Sequence, residues 1–213
     1  FGHHAVRGPA YEFFKDGGHM DNIILTTGGT GGHIFPALAV AEELRRRNPN
    51  ANLLFVGSLY GPEERLMRQA GIPFEGLPVR GLLGRGFKAV GAGAQMALAV
   101  VKAVGILRRF KPDVVAGFGG YAAFAPMLAA RILGVPGVLH EQNAIAGASN
   151  RFLARLARRV CISLPNTSGF DMKKCVFTGN RKRGGAGGSP PADAPSAGHG
   201  RFAGRACAQC LYA

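Results

Sequence analysis

The feature that most constrains this chain is an alternation. Short apolar runs at 22–26, 52–56, 113–117, 136–140 and 159–163 are interleaved with segments of helical periodicity at 35–47, 62–70, 87–109, 122–133 and 148–157. An uninterrupted apolar run of about five residues suits a strand covered on both faces rather than one with a wet side. Strand, helix and strand in succession make the strands parallel, because the helix carries the chain back to the starting edge, and right-handed crossovers put helices on both faces. The expected fold is therefore an α/β, doubly wound parallel sheet of Rossmann-like type. Pro36 and Pro62 are expected near helix starts, and Asn48-Pro49 as a helix stop.

This pattern does not extend to the ends. Residues 1–19 mix His, Gly and Pro without a period and read as a leader or non-native extension, with Met20 as the natural start. Residues 181–213 hold seven Gly, three Pro and five basic residues with almost no apolar period, as a disordered or non-native tail would. One folded domain is expected over 20–180.

Apolar residues at 47% suit a globular protein, and a net charge of +14 directs attention to anionic partners. Charge alone does not separate a nucleic acid from a membrane surface or a pyrophosphate. There is no aromatic-studded basic strand, zinc spacing or basic zipper, so nucleic acid is not the expected partner. Cys207-x-x-Cys210 is a lone pair without histidines at ligand spacing, and no metal is expected there.

Gly28-Gly29-Thr30-Gly31-Gly32-His33 follows the first strand and leads into a helix. Glycines let backbone approach a ligand closely, and free amides at a helix start favour an anion. A tight turn with no ligand is the plainer reading of the same residues. The dinucleotide fingerprint fits poorly, since its last glycine is missing and no acidic residue ends the second strand. Gly117-Phe118-Gly119-Gly120-Tyr121 forms a second such loop, and two loops at the carboxyl ends of neighbouring strands would open into one crevice suited to a diphosphate. His140-Glu141-Gln142-Asn143 closes another strand, and four polar side chains after a buried run are costly unless they bond something. They either project into the same crevice or cap and orient loops.

No acidic residue lies between Glu75 and Asp113, while Leu82, Leu83, Arg85, Phe87 and Lys88 mix apolar and basic character. Such a surface suits an anionic bilayer, and equally an ordinary crossover helix with a solvated basic face.

Gly-Gly-Thr-Gly-Gly-His at 28–33, Lys-Pro-Asp-Val-Val at 111–115, Gly-Gly-Tyr at 119–121 and His-Glu-Gln-Asn at 140–143, in this order, resemble the MurG family over about Met20 to Asn180. The resemblance implies the acceptor-side, amino-terminal half of a two-domain GT-B glycosyltransferase acting in peptidoglycan synthesis at the cytoplasmic face of the bacterial inner membrane. The family moves N-acetylglucosamine from UDP-N-acetylglucosamine to the muramyl 4-hydroxyl of an undecaprenyl-linked muramyl-pentapeptide, with inversion and without a metal or other cofactor. By matching position, His33 resembles the general base. Thr30, Gly31, Gly32 and Asn143 resemble donor contacts, while Gly28, Gly29, Gly119, Gly120, Tyr121 and Glu141 resemble an acceptor-diphosphate site. The resemblance breaks at Gly179-Asn180-Arg181-Lys182-Arg183, and no donor-binding domain is expected after it. Another nucleotide-dependent enzyme, or a basic membrane- or nucleic-acid-binding module, is the alternative.

Overall fold

The computed structural model describes residues 21–28, 31–79 and 89–178. Its centre is a parallel sheet of seven strands: β1 (Asn22–Thr26), β2 (Asn52–Ser58), β3 (Phe74–Leu77), β4 (Val114–Gly117), β5 (Gly137–Glu141), β6 (Arg159–Ile162) and β7 (Cys175–Phe177). They lie side by side in the order β3-β2-β1-β4-β5-β6-β7. The helices are α1 (Gly31–Arg47), α2 (Glu63–Gln69), α3 (Ala89–Phe110), α4 (Phe124–Leu133) and α5 (Ala148–Leu156). The doubly wound parallel sheet expected from the alternation is the architecture found.

Alternate residues of each strand serve opposite faces. Ile23 and Leu25 pack with Phe55, Ile34, Leu38, Leu44 and Met67 under α1 and α2. Ile24 faces the other way, with Val56, Val115, Ala103, Ile106, Leu107 and Met127 under α3 and α4. Fully burying side chains of this size contributes about 1.5–3 kcal/mol each, so continuous apolar runs are what a sheet covered twice demands. Ala122 and Ala123 just before α4, and Ala125, Ala129 and Ala130 within it, are all fully buried, and their small size lets this segment pack closely.

Two details depart from the expectation. Strands β3 and β7 join the two edges; Phe74-Glu75-Gly76-Leu77 is mostly half-buried and Val176 and Phe177 are exposed, so neither has the continuous apolar run of the inner strands. Helix α1 begins at Gly31 rather than at 35, which makes Pro36 an internal residue. Without an N–H, Pro36 leaves the Gly32 carbonyl with no helical partner. The Asn48-Pro49 stop falls where expected, directly after Arg47. Residues 1–19, the segment 82–88 and the tail 181–213 lie outside the described residues.

Candidate functional site

β1 and β4 are neighbours, yet the chain leaves them for opposite faces: α1 packs on one side of the sheet and α4 on the other. That reversal of strand order opens a crevice beyond the carboxyl ends of β1 and β4, where folds of this kind bind ligands. Both glycine loops sit there.

The loops are held against each other by backbone. Gly28 N–H donates to Gly119 O at 3.3 Å, and the buried Thr27 hydroxyl donates to the same carbonyl at 3.1 Å. A Cβ on Gly28 would lie 2.4 Å from Ala122 Cβ, so only glycine admits the start of the α4 segment so closely. Gly120 has φ +79° and a Cβ there would lie 2.0 Å from Gly28 O. Gly119, at φ +95°, would meet the Asn150 carboxamide at 2.6 Å. The expectation that the two loops adjoin therefore holds in detail.

At the end of β5, Glu141 is fully buried and its carboxylate accepts three N–H bonds: from Asn143 N–H at 2.9 Å, Asn143 Nδ2 at 3.0 Å and Asn150 Nδ2 at 2.7 Å. A buried carboxylate needs such donors to offset its lost hydration. These bonds turn the chain after β5 and hold Asn143 in place. The Asn143 carbonyl in turn accepts from Thr167 Oγ1 at 3.3 Å.

His33 lies in the first turn of α1, half-buried, with its Nδ1 against the side-chain amide of Gln142. This contact joins the start of α1 to the end of β5. The first turn carries no acidic residue, and helix starts leave amides without intrahelical partners, so the ground around Gly31, Gly32 and His33 favours an anion. Tyr121 is half-buried against the α4 side of the core. His140 points inward instead: its Nε2 contacts Ser163 Oγ at 3.1 Å and its ring lies 5.6 Å from that of Phe118.

Of the residues expected to act, Gly28, Gly31, Gly32, His33, Gly119, Gly120, Tyr121, Glu141 and Asn143 are gathered around the ends of β1, β4 and β5. Gly29 and Thr30 lie outside the described residues, as do Leu82, Leu83, Arg85, Phe87 and Lys88. Asn150 was not anticipated. It is 3% exposed, bonds Glu141, and its Oδ1 has no hydrogen-bond partner among the described residues. Its signal was available, since an amide at 150 shares the buried stripe of α5 with Leu153, a stripe that Ala157 continues just past the helix end.

Sheet order and crevice together define a Rossmann-like α/β domain. The chain belongs to the family described as the glycosyltransferase family 28 N-terminal domain, whose pattern it matches over residues 23–162. It is 58% identical over 165 residues to the UDP-N-acetylglucosamine--N-acetylmuramyl-(pentapeptide) pyrophosphoryl-undecaprenol N-acetylglucosamine transferase of Nitratidesulfovibrio vulgaris, covering 77% of this chain and 43% of that one. The crystal structure of Acinetobacter baumannii MurG superimposes with a TM-score of 0.65 at 38% identity, over 76% of this chain and 46% of that one. A UDP-GlcNAc 2-epimerase from Neisseria meningitidis shares the fold at 18% identity and a TM-score of 0.56, over 74% of this chain and 47% of that one. The MurG resemblance carried by the motifs thus extends across the domain. The chain spans less than half the length of these relatives.

Proposed function

We propose that this chain supplies the acceptor-side half of an N-acetylglucosaminyltransferase that converts an undecaprenyl-pyrophosphoryl muramyl-pentapeptide into its disaccharide form. The observation that carries this reading is the pair of glycine loops locked together at the switch point, with His33 beside them. Amides of a helix start and backbone free of Cβ atoms suit a diphosphate, and Gly28, Gly29, Gly119, Gly120 and Tyr121 would hold that of the acceptor. Glu141 would serve the site through Asn143 and Asn150, its three bonds keeping the loop in shape.

In the proposed transfer, the muramyl 4-hydroxyl oxygen attacks the anomeric carbon of the donor sugar, and the bond from that carbon to the UDP oxygen breaks. The hydroxyl proton passes to a ring nitrogen of His33, and UDP departs with the bond's electron pair. A positioned base of this kind contributes about 100- to 10,000-fold. Gly31, Gly32, Thr30 and Asn143 would meet the donor from this side, with the rest of the donor site on a second domain.

The test is a fusion. Residues 20–180 joined to the donor half of the Nitratidesulfovibrio vulgaris relative should transfer N-acetylglucosamine from UDP-N-acetylglucosamine to the lipid-linked acceptor, and the chain alone should not. A folded fusion that binds UDP-N-acetylglucosamine but transfers nothing to this acceptor would remove the reading. The same proposal places 20–180 as the folded unit, to be checked by limited proteolysis.

A peripheral seat on an anionic membrane belongs to the proposal too. No described helix is long and apolar enough to cross a bilayer, but α3 exposes Leu98 and Val101 beside Lys102 and Arg108. Vesicles with anionic lipid should bind the chain and release it as salt rises, and charge reversal at Arg85 and Lys88 should weaken binding.

A further inference from the structure

His33 is the residue that the proposed reaction asks to take a proton, and the present inference rests on that reading. A neutral imidazole carries one N–H and one lone pair, so which nitrogen holds the hydrogen decides whether the ring gives or takes. Here Nδ1 is engaged by the Gln142 side-chain amide. The other end of the same carboxamide, Gln142 Oε1, is enclosed and has no hydrogen-bond partner among the described residues. Gln142 cannot easily drift from this place: Glu141 before it is fully buried, and Asn143 after it is tied to the Glu141 carboxylate at 2.9 and 3.0 Å.

We propose that Gln142 is a positioning residue that sets the tautomer of His33. With its NH2 group donating to Nδ1, that nitrogen must present the lone pair and Nε2 carries the hydrogen. The ring is then held as a donor. Half a turn of the terminal torsion exchanges the ends of the carboxamide, so that Oε1 accepts from Nδ1–H and the lone pair moves to Nε2. The ring is then a base. The proton count does not change between the two states: Nε2 releases a proton to water and Nδ1 takes one up. The turn also carries the NH2 group to the enclosed spot that Oε1 now occupies.

The ring itself reports the answer. In the whole chain labelled with nitrogen-15 at histidine, the His33 signals are assigned by their disappearance in His33→Asn and read at a pH above the ordinary imidazole value of about 6.5. The parent should show hydrogen on Nε2. Gln142→Glu, whose carboxylate can only accept, should move the hydrogen to Nδ1, and Gln142→Leu, which imposes neither form, should give an exchanging mixture. A parent ring protonated on Nδ1, or the same tautomer balance in all three proteins with the backbone amide spectrum unchanged, overturns the proposal. None of these readings involves sugar transfer, so the inference and the transferase reading fail separately.

Discussion

The two ends of the sheet use the same kinds of residue in opposite ways. At the amino ends of the strands, Asp113 Oδ2 accepts from the backbone N–H groups of Asp21 and Asn22, both at 2.9 Å, and Asn52 Nδ2 donates to Asn22 Oδ1 at 3.0 Å. Asn48 Nδ2 reaches Asp21 Oδ1 at 3.2 Å while Asn48 Oδ1 caps Asn50 N–H at 3.1 Å. Polar groups there satisfy one another. At the carboxyl ends, Asn150 Oδ1, Gln142 Oε1 and Thr26 Oγ1 are buried without hydrogen-bond partners among the described residues, and Gly119 and Gly120 hold positive φ angles. Buried orphans each cost about 1–3 kcal/mol, and the positive φ angles there admit only glycine comfortably. One end is built to close the fold, and the other keeps an unfavourable arrangement that a ligand can relieve.

The comparison breaks first at His33. In the fused two-domain protein, His33→Ala should lower turnover about 100- to 10,000-fold while changing acceptor affinity far less. Turnover within about threefold of the parent, measured at saturating substrates, would move the base elsewhere. Next in size is Gly120→Ala, which puts a Cβ 2.0 Å from the Gly28 carbonyl at a φ of +79°. Strain and overpacking together should cost about 3 kcal/mol in denaturant unfolding. A change under about 0.5 kcal/mol would mean that the loops are not locked.

At the closed end, Asp113→Ala removes one acceptor from two exposed amides and should cost about 1–2 kcal/mol of stability. Turnover of the fusion should stay at the parent's level. The smallest effect is expected at Glu43, near the far end of α1, where hydrogen bonds from Arg46 and then Arg47, together with their charges, hold the carboxyl at about 2. Since an unfolded glutamate titrates near 4.5, this stabilisation is complete above about pH 4.5 and is lost as the pH falls towards 2. Arg46 is 60% exposed, so water screens the pair and Glu43→Gln should cost about 1 kcal/mol at neutral pH. Parent and variant should converge in acid, and a gap that persists at pH 2 would assign the effect to packing.

Much of this was legible because two-sided burial writes itself as unbroken apolar runs. β1, β2, β4, β5 and β6 could be read that way, but β3 and β7 lie at edges where only one neighbour asks for apolar residues. The start of α1 was hidden by Gly31 and Gly32, whose low helix propensity the surrounding structure overrides. In the crevice, loop glycines and polar strand ends announced themselves locally. The partnership of Gln142 with His33 did not, because 109 residues separate them and only the strand order brings them together.

The interlock of the two glycine loops also limits how this scaffold can be re-engineered. Gly28 is pinned by Gly119 and abuts Ala122, while Gly120 lies across the Gly28 carbonyl. A specificity graft that replaces the first loop alone would install a backbone path whose counterpart no longer matches it. The smallest exchangeable cassette is therefore discontinuous in the chain, comprising both loops and the opening of α4, and a shuffling library cut between them would mostly yield misfits.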